Sequence, residues 1–392
     1  MKESNFRIAF IVAILISISL ITSTSSIGQA NAGGSTIFTS SQFNFPEGIT
    51  FDSSGNLWVA NQGGGNVLEF SSSSFSNGVL TPTRTISGLN QPFEITFDSK
   101  GNLWVANTAA NDILEFNATS LALGNASVST TISGLYYPVG LAFDSSGNLW
   151  VVNSGKNDVL EFNSSSLSSK SPTVSKVINS TKFDQPEGIT FDSYGNLWVS
   201  SRETNTVLEF NVSSLASLNT TVSKSVGKLH YPLSIAFDSS GDLWSLNNGD
   251  NNVSEISAAS LSSISPNISI VISGFTDPGR LALDSSGNIW VSNPLQNRIT
   301  EITSLSSSVT ITFPTTTTTS SLTATSTTTV ASSSFTTSIS TSNSSSTTAS
   351  QLTSSSSTQS GTNNTGEEMV GAIVVVLAIA IVGIYYMIFR RR

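Results

Sequence analysis

Two residues after each of six prolines the chain reads Gly48, Glu94, Gly140, Gly188, Ser234 and Arg280, so a carboxylate and a guanidinium interrupt a position otherwise kept small. One residue nearer the proline, Glu47 and Glu187 add two more carboxylates. Such a set has three chemical uses: carboxylate oxygens can hold a hard cation such as Ca²⁺, can fix a polar ligand, or can pair with Arg280. Phe45, Phe93, Tyr136, Tyr137 and Tyr231 stand beside the same prolines, with the sole histidine, His230. Exposed tyrosines supply a large, rigid contact area with a polar tip, as protein- and glycan-binding surfaces need. Each feature also has a structural reading: ordinary solvated charge or a Glu94–Arg280 pair for the first set, rings sealed over their prolines for the second. His230 alone is more often a loop histidine than a base. One histidine and no cysteine leave zinc and thiolate chemistry without their residues.

What positions these residues is a repeat. Trp58, Trp104, Trp150, Trp198, Trp244 and Trp290 are the only tryptophans, spaced 46, 46, 48, 46 and 46 residues apart. Each lies in a near-copy of Pro-x-x-Ile-x-Phe-Asp-Ser-x-Gly-Asn-Leu-Trp-Val. A period in the forties with strand-like text inside marks units that stack to share a core. In the second unit Glu94–Asp98 alternates as a strand, Ser99–Asn102 is a turn with Gly101 free to take positive φ, and Leu103–Ala106 is a second strand. Ile113–Phe116 is a third strand; a longer polar stretch then leads to the fourth, Thr131–Ser133. Four short antiparallel strands with apolar residues on both faces describe a sheet buried between two like sheets, and six such sheets close into an all-β, six-bladed β-propeller. The segment from Ile37 to Pro46 reads as an extra fourth strand able to complete the last blade; Val309–Phe313 competes for that place, and the N-terminal strand is the favoured one.

The text Pro-x-Gly-Ile-x-Phe-Asp, Gly-Asn-Leu-Trp-Val-Ala-Asn and a further Asn before the third strand, present through all six units, resembles the NHL-repeat propellers and their streptogramin-lyase-like relatives. That resemblance implies the propeller fold but no single function, since the group includes enzymes, binding heads and scaffolds. Some members cleave lactones or act as lyases through histidines or a carboxylate-bound metal in the channel. The acid that commonly ends the second strand of NHL units is here Asn61, Asn107, Asn153, Asn247 and Asn293, with Ser201 in the fourth unit.

By analogy with the fold, the loops leading into the first strands and those joining the second to the third meet on one face around the channel. That face collects Glu47, Phe93, Glu94, Tyr136, Tyr137, Glu187, Arg202, His230, Tyr231 and Arg280 as ligand-binding candidates. Glu47, Glu94 and Glu187 are its weaker Ca²⁺ candidates; no other cofactor and no catalytic residue is assigned. The recurring Glu69, Glu115, Glu161, Glu209, Glu255 and Glu301 of the third strands are expected to be structural, lying too far apart to share an ion.

The ends place the chain. Lys2 and Arg7, the apolar run Ile8–Leu20 and Ala30-Asn31-Ala32 read as a secretory signal over residues 1–32. The propeller occupies 33–314, and a Ser/Thr-rich stalk 315–366 is expected to stay extended. Within 367–392, Met369–Phe389 gives 21 uncharged residues, enough to cross a ~30 Å hydrocarbon core, and Arg390–Arg392 form a short basic cytoplasmic tail. The expected arrangement is a single-pass type I membrane protein with a monomeric propeller outside the cell.

Ten Asn-x-Ser/Thr acceptors fit export: Asn117, Asn125, Asn163, Asn179, Asn211, Asn219, Asn252, Asn267, Asn343 and Asn363. Between Ala32 and Glu367 there are 11 Lys/Arg against 22 Asp/Glu, a balance that repels nucleic acid. The leading expectation is a cell-surface recognition head for protein, peptide or glycan. The alternatives are a surface-coat or spacer protein without a specific ligand, and a Ca²⁺-dependent ectohydrolase or lyase using Glu47, Glu94 and Glu187.

Overall fold

A computed structural model describes residues 34–303 except 218, and the backbone of Val309–Thr310. The signal, the stalk and the apolar span Met369–Phe389 lie outside these residues. Among the described residues no helix is long and apolar enough to cross a membrane.

The described chain is a six-bladed β-propeller of antiparallel blades. Blade 1 comprises Pro46–Phe51, Leu57–Asn61, Asn66–Phe70 and Arg84–Ser87, in that spatial order, and blades 2 to 5 repeat it. Blade 6 takes three strands from its own repeat, Leu281–Leu283, Ile289–Asn293 and Arg298–Ile302. Its fourth is Ser35–Thr39, paired antiparallel with Arg298–Ile302. The N-terminal strand therefore clasps the ring, as expected. Val309–Thr310 instead adds a fifth, parallel strand to blade 5 beside Ile270–Ser273.

The repeated sentence is explained by local contacts. Asp52 Oδ1 accepts from the backbone N–H groups of Ser54 and Asn56, while its Oδ2 accepts from Asn56 Nδ2 and, at 3.0 Å, from Trp58 Nε1. The same Asp-to-Trp bond recurs in all six blades. Gly101 adopts φ +79°, a conformation costly for any side chain, so the turn requires glycine there. Each Trp then meets the next blade: Trp58 lies edge-on to Phe97, Trp104 to Phe143, Trp150 to Phe191 and Trp198 to Phe237, and Trp290 closes the circle on Phe51 at 5.2 Å. Such pairs add about 0.5–1.5 kcal/mol each beyond burial. All residues of every second strand are buried, the consequence of a sheet covered on both faces.

The polar stretch after the third strand holds more structure than the sequence reading allowed. Short helices form at Ala118–Ala122, Ser164–Leu167, Val212–Leu215 and Ala258–Leu261. Asn117, Asn163 and Asn211 cap the first three, each Oδ1 accepting a backbone N–H at 2.8 Å. These three sequon asparagines thus have a structural use, in which Oδ1 and not Nδ2 makes the capping bond. Third-strand carboxylates serve their own blades: Glu69 pairs with Arg84, Glu209 with Lys224, and Glu115 and Glu255 accept from Ser129 and Ser269.

Candidate functional site

The loops before the first strands and the loops after the second strands do meet on one face. Ser154 and Gly155 donate backbone N–H groups to the carbonyls of Tyr137 and Tyr136, and Asn248 and Gly249 do so to Tyr231 and His230. The residue before each proline is left-handed: Phe45, Gln91, Tyr137, Gln185, Tyr231 and Asp277 have φ between 49° and 56°. This conformation, uncommon for bulky side chains, is held by the preceding blade. In five blades an asparagine ending the turn between the second and third strands accepts the N–H of the residue before the next proline: Asn111 from Tyr137, Asn157 from Gln185, Asn205 from Tyr231, Asn251 from Asp277 and Asn297 from Phe45. In blade 1 the equivalent residue is Gly65, which has no side chain to accept from Gln91. The asparagines that replace the usual acid of the second strand have a related task. Asn61, Asn107 and Asn153 accept from the lead-in backbone with Oδ1 and donate to the third strand with Nδ2.

The first strands touch one another all round the ring and so line the channel. Glycine two residues after the proline follows from this approach. A Cβ on Gly48, Gly140 or Gly188 would lie 2.4, 2.3 or 2.6 Å from a carbonyl oxygen of the next blade. Blades 1, 3 and 4, which carry these glycines, pack most closely on their successors. Blades 2, 5 and 6 carry Glu94, Ser234 and Arg280 and stand off further. The breaks in the small-residue position are therefore gaps in the inner wall into which longer side chains project.

Arg280 fills that space. It is 1% exposed, its Nη2 donates to Glu187 Oε2 at 2.8 Å, and its Nε lies 3.2 Å from Glu94 Oε2. The guanidinium also stacks 4.4 Å from the Phe93 ring centroid. Glu47 belongs to the same group and is 6% exposed. A Cβ at Gly279 would sit 2.6 Å from Glu47 Oε2, so glycine there makes the berth for this carboxylate. The solvated-charge reading is thus overturned: Glu47, Glu187 and Arg280 are buried, and Glu94 nearly so, while the Glu94–Arg280 pair exists. Among the described residues no group of three or more His, Cys, Asp or Glu is arranged to hold a metal ion. Two of the three Ca²⁺ candidates, Glu94 and Glu187, are engaged by Arg280 instead.

Burial sets the electrostatics. It raises the Glu47 carboxyl to about 8; Arg280 opposes the rise, and Glu187, Asp277 and Glu94 add to it. Glu94 is raised to about 7, again by burial first, with Arg280 and the Ile95 N–H opposing. Burial works against the charge of Arg280, but Glu187, Glu94 and Glu47 outweigh it and hold the guanidinium protonated.

Beside this cluster, blades 3 to 5 carry a strip in which Tyr136, Tyr137 and His230 are exposed and Arg202 and Tyr231 half-buried. Tyr136 is 57% and Tyr137 45% exposed. Although Tyr137 is open on one side, its phenol pKa is raised, by burial first and then by Glu187 and Glu47. Arg202 lies 5.2 Å over the Tyr231 ring and donates to Gln185 Oε1. Tyr231 stacks on His230, whose Nδ1 is 3.0 Å from Asp250 Oδ1. Of the ten sequence candidates, five (Glu47, Phe93, Glu94, Glu187, Arg280) form the buried cluster and five form the strip. Asp250, Asp277 and Gly279 were missed. Asp277 carried a signal, an acid where other blades have an aromatic or Gln.

These features define the class, a six-bladed β-propeller with a charged channel. No protein-family model matches the sequence, and no curated protein matches it. In structure the chain is similar to virginiamycin B lyase from Staphylococcus aureus, with a TM-score of 0.50, 14% identity, and 69% of this chain and 99% of that one covered. It is also similar to an auxiliary nutrient binding protein from Bacteroides thetaiotaomicron, at TM-score 0.51, 12% identity and coverage of 67% and 69%. A third likeness is to a protein from Lactobacillus plantarum, at TM-score 0.51, 13% identity and coverage of 63% and 77%. The fold is that of the streptogramin B lyase-like six-bladed propellers, as the sequence resemblance implied; at these identities the likeness is one of fold.

Proposed function

We propose that the propeller is a recognition head, displayed outside the cell on the stalk and anchor read from the sequence, that binds a protein, peptide or glycan on the face bearing Tyr136, Tyr137, Arg202, His230 and Tyr231. The observation that carries this reading is a strip of aromatic side chains with Arg202 on one face, Tyr136, Tyr137 and His230 exposed and Arg202 and Tyr231 half-buried, with Tyr137 and Tyr231 held on clasped, left-handed backbone. Backbone pinned by a neighbouring blade loses little freedom on binding, and rings of two rotatable bonds present contact area at low entropic cost. That an auxiliary nutrient binding protein has the same fold agrees with a binding role.

The test is a binding panel of glycans and surface proteins probed with the purified full-length chain and with Tyr137→Ala and Tyr231→Ala. The expected result is saturable binding that falls about tenfold or more in either variant, as for an interface anchor. Binding equal in wild type and both variants, or none across the panel, overturns the reading.

A further inference from the structure

We propose that the channel beside the strip is a site for a primary ammonium group, with Glu47 as its principal acceptor, an inference that deepens the recognition reading above. Glu47 is 94% buried by its 6% exposure, yet among the described residues it makes no hydrogen bond and no ion pair. A carboxyl that no other group of the described residues bonds is free to take a donor that enters along the channel. The charges facing it are Arg280, Glu187, Glu94 and Asp277, with the Tyr137 phenol at the open side. Arg280 bonds to Glu187 and Glu94 and leaves Glu47 as the carboxyl of the cluster that it does not engage. Gly279 leaves free the room against blade 6 that the Glu47 carboxylate occupies.

One unengaged acceptor suits one small, monovalent, hydrogen-bond-donating cation. A divalent ion needs several oxygens converging on a point, and that arrangement is absent among the described residues. An alkylammonium, as at a lysine side chain or a peptide N-terminus, brings three donors on a narrow stem. Its stem would run out past Tyr137, joining the channel to the strip.

The experiment is calorimetric titration of the purified full-length chain with n-butylammonium chloride, with tetramethylammonium, sodium and calcium chlorides as parallel titrants. The expected result is saturable butylammonium binding, absent for tetramethylammonium, which cannot donate. Binding should release a proton at pH 7, read as a dependence of the measured heat on the ionisation heat of the buffer. Glu47→Gln should weaken binding ~10-fold or more, the loss expected of a charged hydrogen bond. Gly279→Ala, which displaces the carboxylate without removing it, should do the same. Equal binding in the variants, no butylammonium binding, or tighter Glu47-dependent binding of calcium overturns the proposal. If butylammonium fails while the Tyr137- and Tyr231-dependent panel binding persists, the recognition reading stands and only the ammonium site falls.

Discussion

Arg280 on blade 6 and Glu187 on blade 4 are joined at 2.8 Å, so a single ion pair spans the channel past the intervening blade. With the 3.2 Å contact to Glu94 of blade 2, one guanidinium ties three non-adjacent blades. Removing it leaves carboxylates buried without a counter-charge, which typically costs about 3–5 kcal/mol. Arg280→Leu is therefore expected to lower stability by that order at pH 7.5 in chemical denaturation, and Arg280→Lys, which keeps the charge, by less. The deficit of Arg280→Leu should shrink at pH 5, where the carboxyls take up protons.

The same cluster sets a pH dependence in the wild type. Glu47 titrates near 8 and Glu94 near 7 when folded, against an ordinary carboxylate value of 4.5. Between those values the folded state binds more protons than the unfolded one, so stability falls as pH rises. Their contribution is fully present below about pH 4.5 and is lost through pH 7 to 8, a loss on the order of a few kcal/mol. The melting temperature is expected to drop from pH 5.5 to pH 8.5, and Glu47→Gln to flatten that slope. A wild-type profile flat across this range contradicts the burial argument.

Much of this architecture is legible in the sequence because its cause is local. Asp52, Gly55, Asn56 and Trp58 make a turn whose bonds are all made within six residues, so the spacing alone announces it. The clasp was legible too, since Ile37–Pro46 has the same long form as the Ile178–Pro186 junction. The short helices were hidden because an Asn-x-Ser/Thr cap has the same letters as a sequon, as at Asn163. Depth was hidden for a different reason. Whether Glu47 is solvated or buried depends on Gly279, 232 positions away in the chain, and on how closely blade 6 approaches blade 1. No periodicity within a repeat encodes that distance.

The clasp itself can be weighed. Phe38 is fully buried and stacks on Trp290 at 4.9 Å, in the cluster that joins blade 6 to blade 1. Phe38→Ala removes a large core ring and is expected to cost about 3–5 kcal/mol. Because the ring's closure depends on this strand, limited proteolysis should cut first within residues 34–39 in the variant. Unchanged resistance to denaturant would mean that the blades close without it.

Gly65 offers the opposite experiment. Five blades pin the next proline loop through an asparagine at this left-handed position, and blade 1 alone has glycine, at φ +61°. Asparagine is the side-chain-bearing residue that best tolerates this conformation. Gly65→Asn should supply the acceptor that Gln91 lacks and reduce the freedom of the unfolded chain, together stabilising by about 0.5–1 kcal/mol. The built Cβ would approach the Leu89 carbonyl to 2.9 Å, so this carbonyl must yield by a few tenths of an ångström. The reciprocal change, Asn297→Gly, keeps the backbone conformation and deletes the 2.8 Å bond from Phe45, and should cost about 1 kcal/mol. Denaturation midpoints moving in opposite directions in the two variants would establish the asparagine clasp as an energetic element of the ring. Midpoints falling in both would show that the Leu89 carbonyl does not give, and that blade 1 requires its glycine.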